Sequence, residues 1–361
     1  MKQMINQSQI TRQRLQEHFQ AYPKLQVEDV FKYLFQSAFG CEHLVSNEEA
    51  ALAYINREYE TVYKTVKPYI EPLDGEYSRV YLSCLNDGLQ PKTLAKLFCL
   101  SAKKEENGRA ALEEKIEVAK ELVVSGESPI DQEAFAQKLA AWQELGYPAV
   151  HHSNAFREAY KPAYRVIANR YVSFLPLFTQ IDKLLAKGRA IIAIEGGSAS
   201  GKSTLADILK KVYACTVFHM DDFFLRPEQR TQERLLEVGG NIDYERFGDE
   251  VIKLLTNHKA VCYLPFDCAT QVLKEPVTVP PNQLTVVEGV YSMHPSFGKY
   301  YDLSVFLDID PVYQKERIML RNSPAFAKRF FEEWIPLENL YFSKTNITER
   351  ADTVLPILKS V

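Results

Sequence analysis

The residues best suited to chemistry form a glycine-rich run in the second half of the chain, Gly196-Gly-Ser-Ala-Ser-Gly-Lys-Ser203. This run matches the pattern G-x-x-x-x-G-K-S/T, with an apolar stretch of strand length before it and a helical stretch after it. Glycines let the backbone curl so that successive N–H groups point toward an anion. The pattern predicts a phosphate cradle in which Lys202 contacts the phosphates and the Ser203 hydroxyl binds Mg²⁺. The predicted ATP-binding residues of this loop are Gly196, Gly197, Ser198, Ala199, Ser200, Gly201, Lys202, Ser203 and Thr204.

Two groups of acidic residues follow later strand-like runs. Asp221 and Asp222 come after Thr216–Met220, and Glu288 comes after Leu284–Val287. Ligands of open parallel sheets bind beyond the carboxyl ends of the strands, so we expect these carboxylates to face the phosphates. Asp221 is predicted to be the general base for an acceptor hydroxyl, close to the metal, and Glu288 to organise Mg²⁺. The alternatives are a turn or N-cap aspartate, the role we assign to Asp222, and a surface charge for Glu288.

The elements that must position these residues begin near residue 184. From there, apolar runs of strand length alternate with helical stretches, which is typical of a parallel sheet covered by helices on both faces. The predicted fold of residues 184–361 is therefore an α/β P-loop NTPase domain with a doubly wound parallel sheet. The predicted strands are Ile191–Glu195, Thr216–Met220, Leu284–Val287 and Leu303–Leu307, and the predicted helices are Leu205–Val212, Tyr244–Leu255 and Val312–Leu320.

Residues 1–183 are predicted to form a mostly α-helical accessory domain, because their apolar residues recur at spacings of three and four. The predicted helices are Val27–Phe39, Asn47–Tyr63, Pro91–Ala102, Arg109–Ser125, Asp131–Leu145 and the aromatic-rich stretch Tyr160–Phe178. If His43, His151 and His152 met in space with Glu42, they would form a metal or catalytic site; otherwise they are helix-end residues. The segments Tyr77–Arg79 and Arg157–Lys161 are equally suited to a buried polar network or to an anion pocket.

Composition excludes several other classes of protein. A length of 361 residues suits two domains, and a net charge of −4 does not suggest a nucleic-acid partner. The sequence shows neither an export signal nor an apolar run long enough to span a membrane. The six cysteines lack any C-x-x-C pair and are expected to be reduced thiols in a cytoplasmic protein. Whether the chain forms a homo-oligomer is left open.

The run from Ile191 onward resembles the uridine kinase/phosphoribulokinase/pantothenate kinase group of P-loop small-molecule kinases, and most of all uridine kinase. The resemblance covers nearly half of the chain. It rests on the Gly-Ser-x-x-Ser-Gly-Lys-Ser-Thr form of the loop and on Asp221–Phe224, Asn241–Phe247, Pro265–Asp267, Val286–Tyr291 and Tyr301–Leu307. It implies ATP and Mg²⁺ as cofactors and a small-molecule hydroxyl, such as one of uridine, as the phosphate acceptor. The further roles that it implies are acceptor binding by Asp243, Phe266 and Asp267, and phosphate contacts by Arg317 and Arg321.

The sequence departs from this group in the predicted lid. The Glu-Arg-Gly-Arg run usual in uridine kinases is replaced by Arg321-Asn-Ser-Pro-Ala-Phe-Ala-Lys-Arg329. Arg317 and Arg321 are equally compatible with an i,i+4 pair on a solvated helix face. The expected activity is transfer of the ATP γ-phosphate to a small alcohol. The rivals are a nucleotide-switched regulatory protein, whose helical half engages a partner, and a bifunctional enzyme with separate chemistry around His43 and His151.

Overall fold

The structure is a computed structural model that describes residues 7–41, 47–61, 69–102 and 107–357. The chain divides into two compact units, Met1–Lys183 and Leu184–Val361, and the division falls within the helix Leu175–Leu185. All six cysteines are free thiols in the structure. Among the described residues, no helix is both long and apolar enough to cross a membrane.

Helices dominate the first unit. They are α1 (Gln7–Ala21), α2 (Val27–Phe39), α3 (Glu48–Tyr59), α4 (Pro91–Ser101), α5 (Gly108–Val124), α6 (Gln132–Glu144), α7 (Asn154–Tyr160), α8 (Asn169–Val172) and α9 (Leu175–Leu185), with a 3₁₀ turn at Leu82–Asp87. The prediction for α2 is confirmed with the same bounds, and the predictions for α4, α5 and α6 are confirmed except at their ends. Helix α3 ends at Tyr59, and residues 62 and 63 of the predicted helix lie outside the described residues.

The first unit also contains a three-stranded antiparallel sheet that the sequence did not predict. Its strands are β1 (Ile70–Pro72), β2 (Tyr77–Tyr81) and β3 (Tyr164–Ala168), in the order β1-β2-β3. The predicted single helix over Tyr160–Phe178 is therefore wrong. Lys161 adopts a left-handed conformation (φ 45°) and Pro162 follows it, so helix α7 stops at Tyr160. Strand β3 then forms by pairing with the distant strand β2, which local periodicity cannot reveal.

The second unit is built on a parallel five-stranded sheet in the order β12-β11-β4-β10-β5. The strands of the unit are β4 (Ala190–Gly196), β5 (Thr216–His219), β6 (Val261–Tyr263), β7 (Phe266–Asp267), β8 (Val272–Leu273), β9 (Val277–Val279), β10 (Leu284–Glu288), β11 (Leu303–Ile309) and β12 (Thr353–Ile357). Strands β6 and β9 form one antiparallel pair, and β7 and β8 form another. The predicted α/β P-loop NTPase fold is confirmed.

Helices flank this sheet. They are α10 (Lys202–Tyr213), α11 (Gln232–Leu236), α12 (Tyr244–Phe247), α13 (Lys253–Thr256), α14 (Pro311–Arg321), α15 (Pro324–Arg329), α16 (Ile335–Thr345) and α17 (Ile347–Arg350). A π-helical turn at Gly248–Ile252 joins α12 to α13, so the helix predicted over Tyr244–Leu255 is present but contains an irregular turn. A second π-helical turn, Phe330–Trp334, joins α15 to α16.

Strand β4 is central and β12 lies at one edge. Every residue of β4 is buried, because β10 and β11 pair with its two edges and helices pack on the sheet, and this burial explains its continuous apolar run. Strand β12 is partly exposed and contains Pro356, which has no N–H to donate and is tolerated at a sheet edge. The sequence analysis did not predict β12, because a short run with an internal proline is a weak strand signal.

Candidate active site

The glycine-rich loop joins β4 to α10 and has the tight curl expected of a phosphate cradle. Gly196 has a φ of 147°, and a Cβ atom added there would lie 2.7 Å from the backbone oxygen of Leu307, so only glycine fits. Ala199 and Gly201 also have positive φ angles, of 60° and 103°. The Ser200 hydroxyl is buried and has no hydrogen-bond partner among the described residues. The loop thus presents backbone and side-chain donors that suit an anion.

Helix α10 begins at the end of this loop, so its N-terminal N–H groups also face the loop. Lys202 is its first residue, and the Lys202 Nζ atom donates to the backbone oxygen of Gly197 at 3.0 Å. This contact folds the ammonium group back over the curl of the loop. Thr204 lies in the first turn of the same helix and is exposed. The predicted phosphate-binding residues therefore lie together.

The register of the parallel sheet brings Glu288 to the loop. Glu288 ends β10, level with Ile194 of β4 and with His219 of β5. The Ser203 Oγ atom donates to Glu288 Oε1 at 3.0 Å. A hydroxyl and a carboxylate this close provide the hard oxygen ligands that Mg²⁺ prefers, so these two residues fit the predicted metal site.

His219 is a functional candidate that the sequence analysis missed. Its Nδ1 atom lies 2.6 Å from Glu288 Oε1, the oxygen that also accepts from Ser203. This hydrogen bond to Glu288 raises the pKa of His219 above its ordinary value, against burial, which lowers it. The raised pKa favours the imidazolium form of His219, whose positive charge offsets that of the carboxylate. The sequence feature that could have identified His219 is its position two residues before Asp221.

Asp221 follows β5 at the same edge of the sheet, in the 3₁₀ turn Met220–Phe223. Asp221 is exposed at the surface, and desolvation by the surrounding protein raises the pKa of its carboxyl. Lys202 lowers that pKa and Glu288 raises it, so both charges lie within electrostatic range. The neighbouring Asp222 instead accepts a hydrogen bond from the Tyr263 hydroxyl at 3.1 Å. Asp221 is thus the carboxylate of the pair with electrostatic links to the loop.

Glu195 is a buried carboxylate directly before the loop, and the sequence analysis missed it as well. Its Oε1 atom accepts from the backbone N–H groups of Gly196 and Tyr291, both at 3.1 Å. Its Oε2 atom accepts from the Met293 N–H at 3.1 Å and from the Tyr341 hydroxyl at 3.2 Å. Burial raises the pKa of Glu195 to about 7, against these donors, which lower it. The side chain ties the start of the loop to the segment after β10.

Glu195→Gln is expected to lower the free energy of unfolding by about 1–3 kcal/mol, the cost of leaving buried donors unsatisfied. A glutamine has one acceptor oxygen and would turn an NH₂ group toward backbone N–H donors. Urea denaturation at about pH 8, above the pKa of Glu195, measures the change. The control is Glu275→Gln at an exposed position. Equal stability of the two variants would contradict the bridging role.

Two helices between β11 and β12 also contact the loop. The Ser198 N–H donates to Glu338 Oε2 of α16 at 2.8 Å, and the Ser198 hydroxyl donates to the other carboxylate oxygen. Gln314 of α14 donates through Nε2 to the Ser198 backbone oxygen at 2.8 Å. Burial raises the pKa of Glu338 above its ordinary value. Glu338 and Gln314 lie far from the loop in sequence, so no local pattern could have identified them.

Helix α14 also carries the two predicted lid arginines. The Nη1 atom of Arg317 lies 3.7 Å from the position that a Cβ atom would occupy at Gly201, so its guanidinium is beside the loop. Burial and the charge of Arg321 lower the pKa of Arg317. Arg321 is exposed at the end of α14. Arg317 is the better placed of the two, and phosphate contact by either stays a prediction.

The three predicted acceptor-binding residues have structural partners of their own. Asp243 is buried and caps α12, accepting from the Arg246 N–H at 3.1 Å and from Gln229 Nε2 at 2.9 Å. The Phe266 side chain is buried. Asp267 accepts from the Ala269 N–H at 2.9 Å in the turn between β7 and β8. These contacts do not test acceptor binding, which stays a prediction for Asp243, Phe266 and Asp267.

Comparisons with known proteins find similar solved structures. One is a protein described as a possible uridine kinase from Bacillus stearothermophilus, 23% identical, with a TM-score of 0.38, covering 50% of this chain and 99% of that one. Another is described as a candidate fructose transport system kinase from a Silicibacter species, 21% identical, with a TM-score of 0.39, covering 48% of this chain and 96% of that one. Both descriptions name kinases. No protein-family model and no curated protein matches the chain.

The predicted histidine site in the first unit is only partly within the described residues. Glu42 and His43 lie outside them. His151 is exposed, whereas His152 is buried and hydrogen-bonded to Asp29. In the part of the chain that the structure describes, no group of three or more histidine, cysteine, aspartate or glutamate residues is arranged to hold a metal ion.

Proposed function

We propose that the C-terminal unit is an ATP- and Mg²⁺-dependent phosphotransferase that moves the γ-phosphate to a hydroxyl group of a small molecule. The observation that carries this proposal is the contact of Ser203 with Glu288 at 3.0 Å, beside a loop curled for phosphates. Asp221 follows the strand next to Glu288 and completes the set of groups that phosphoryl transfer to an alcohol requires.

Each residue of the site would have a role set by its position and its charge. The loop N–H groups and Lys202 would hold the phosphates of ATP, and Arg317 would offset charge on the phosphoryl oxygens. Ser203 and Glu288 would hold Mg²⁺, which when bound neutralises part of the phosphate charge. Asp221 would accept the proton of the attacking hydroxyl, a role that suits a carboxylate with a raised pKa.

The acceptor is proposed to lie between Asp221 and the segment that contains Asp243, Phe266 and Asp267. A nucleoside such as uridine is one candidate acceptor, because the sequence motifs resemble uridine kinase. Tyr263 stacks on Phe223 and donates to Asp222, so the residues beside Asp221 offer both aromatic and carboxylate surfaces. A sugar hydroxyl flanked by a planar base would match such surfaces.

The test is acceptor-dependent release of ADP. The full chain is incubated with ATP, Mg²⁺ and, one at a time, nucleosides, pantothenate and sugars. Release of ADP well above the rate without acceptor supports the proposal, and the phosphorylated product identifies the acceptor. ATP binding without acceptor-dependent ADP would favour the nucleotide-switched regulatory protein. No binding of ATP would overturn the proposal altogether.

A further inference from the structure

The first unit contains a cleft of about 1070 Å³ that the proposed kinase activity does not use. Its walls come from α2, the C-terminal end of α3, and the segment that leads from His151 through β3. Among the described residues that line it, the charged ones are the cations Lys32, Arg157, Lys161 and Arg165 and the carboxylate Glu58. The cleft therefore carries an excess of positive charge, which favours an anionic ligand.

Arg165 is the best-defined cation of the cleft. Its side chain is 5% exposed, and its Nη1 atom donates to Glu58 Oε2 and to the Tyr164 backbone oxygen, both at 2.8 Å. The guanidinium lies 4.7 Å from the centre of the Tyr54 ring. Its Nη2 atom is buried and has no hydrogen-bond partner among the described residues. A rigidly held arginine with an unsatisfied donor is costly unless a ligand supplies an acceptor.

Lys32 and Arg157 extend this positive surface. Lys32 is half-buried, and its Nζ atom donates to the Val150 backbone oxygen at 3.2 Å. Arg157 is exposed at the cleft. Close by, Arg79 is fully buried and pairs with Glu71 at 3.1 Å. Of the two alternatives for these arginines, the contacts of Arg79 fit the polar network, and the anion pocket stays a prediction for the surface around Arg157.

A hydrogen-bonded relay lies along one wall of the cleft. His152 Nδ1 lies 2.8 Å from Asp29 Oδ1, and His152 Nε2 lies 2.7 Å from the Tyr164 hydroxyl. Burial lowers the pKa of His152 to about 4, so the ring is neutral at pH 7. The Asp29 carboxylate accepts the Nδ1 proton, so Nε2 is an acceptor for the Tyr164 hydroxyl, whose other neighbour is Gln36 Oε1 at 3.3 Å. The Tyr164 oxygen is left with lone pairs for a donor such as a ligand hydroxyl.

We propose that this cleft binds a small organic phosphate that also carries hydroxyl groups, such as a sugar phosphate. A phosphate monoester has close to two negative charges at neutral pH, which matches the surplus of cations better than a single carboxylate does. Arg165 is the predicted partner of the phosphate oxygens, with Lys32 and Arg157 beside it. Tyr164 is the predicted acceptor for a ligand hydroxyl. The site lies within residues 32–166 and does not depend on the phosphate loop.

The test is calorimetric titration of the full chain with ribose 5-phosphate, with inorganic phosphate and with ribose. We expect saturable binding of ribose 5-phosphate, weaker binding of inorganic phosphate and none of ribose. Arg157→Gln is expected to weaken binding about tenfold, the loss of one charge-assisted contact. Arg170→Gln, at an exposed arginine of the same unit outside the cleft, is the matched control and should bind as the wild type does.

Titration of the Lys202→Ala variant shows whether ribose 5-phosphate binds to the cleft or to the phosphate loop. Unchanged affinity in this variant, together with weakened affinity in Arg157→Gln, supports the cleft. Weakened affinity in Lys202→Ala alone would show that the phosphate loop is the site, and would overturn the inference while leaving the kinase proposal intact. Absence of binding up to about 10 mM would also overturn it, since the charged contacts should give a dissociation constant below that value.

Binding is also expected to weaken as the pH rises through about 8. Burial, with the charges of Arg79 and Arg157, lowers the pKa of Lys32 to about 8, while Asp29 raises it. Lys32 is therefore charged below this pH and loses its charge above it, whereas the phosphate keeps a constant charge in this range. Titrations at about pH 7 and about pH 9 measure the change. Lys32→Gln should remove this pH dependence; an unchanged dependence would exclude Lys32 as its source.

Discussion

Replacing Lys202 with alanine is expected to lower kcat for acceptor-dependent ADP formation by about 10²–10³, the effect of removing one preorganised charge from a transition state. The Lys202 ammonium lies over the loop, within hydrogen-bond distance of Gly197, where it can follow charge that develops on the transferred phosphoryl group. Steady-state kinetics at saturating ATP and Mg²⁺ measure the change. Folding should be retained, because Lys202 is only partly buried and its ammonium donates to a backbone oxygen of the loop.

The matched control is Lys211→Ala, which removes an exposed lysine from the last turn of the same helix. It removes the same charge from α10 at the end away from the loop, so kcat should stay within about twofold of the wild type. Similar losses in both variants would point to destabilisation of the helix. Near-normal turnover in Lys202→Ala would count against phosphoryl transfer at this loop.

Asp221→Asn is expected to lower kcat by about 10²–10⁴ and to leave ATP affinity nearly unchanged, the pattern for loss of a general base. An amide cannot accept the acceptor proton, whereas the loop donors that hold ATP remain. The pH profile gives a second readout, because the Asp221 pKa is raised by burial. Wild-type kcat should fall as the pH drops through that raised pKa, and this acidic limb should be absent from the variant.

The control for Asp221 is its neighbour. Asp222→Asn removes the same charge one residue away, where the carboxylate holds the Tyr263 hydroxyl. This variant should lower the free energy of unfolding, whereas its kcat should fall by less than about tenfold. If Asp222→Asn had the larger effect on kcat, the roles of the two aspartates would be exchanged.

Much of the second unit could be predicted from local sequence, because a buried parallel strand produces a continuous apolar run and a phosphate loop has a fixed pattern of glycines. Strand β4, the loop and helix α10 illustrate this. Glu288 was also predictable, since strand ends meet at one edge of a parallel sheet. These features depend on residues that are close in sequence, or on the rule that the carboxyl ends of parallel strands meet at one edge of the sheet.

The remaining features depend on contacts between distant segments. Strand β3 was assigned to a helix because its pairing with β2 joins residues far apart in the chain. Glu338 is one polar residue among many on α16, and only the folded chain brings it to Ser198. Glu195 looked like the end of an apolar strand, and its role depends on donors that follow β10.

The carboxylate of Glu338 has a thermodynamic consequence for the loop. Because it accepts hydrogen bonds from Ser198, an anion belonging to the protein already stabilises the curled backbone. The entropy lost in ordering this backbone is then a cost of folding and not of nucleotide association. A nucleotide that takes the same donors exchanges one negatively charged partner for another, so its net gain in free energy is smaller than its new contacts alone would suggest. Such an exchange favours ready release of the spent nucleotide over tight retention.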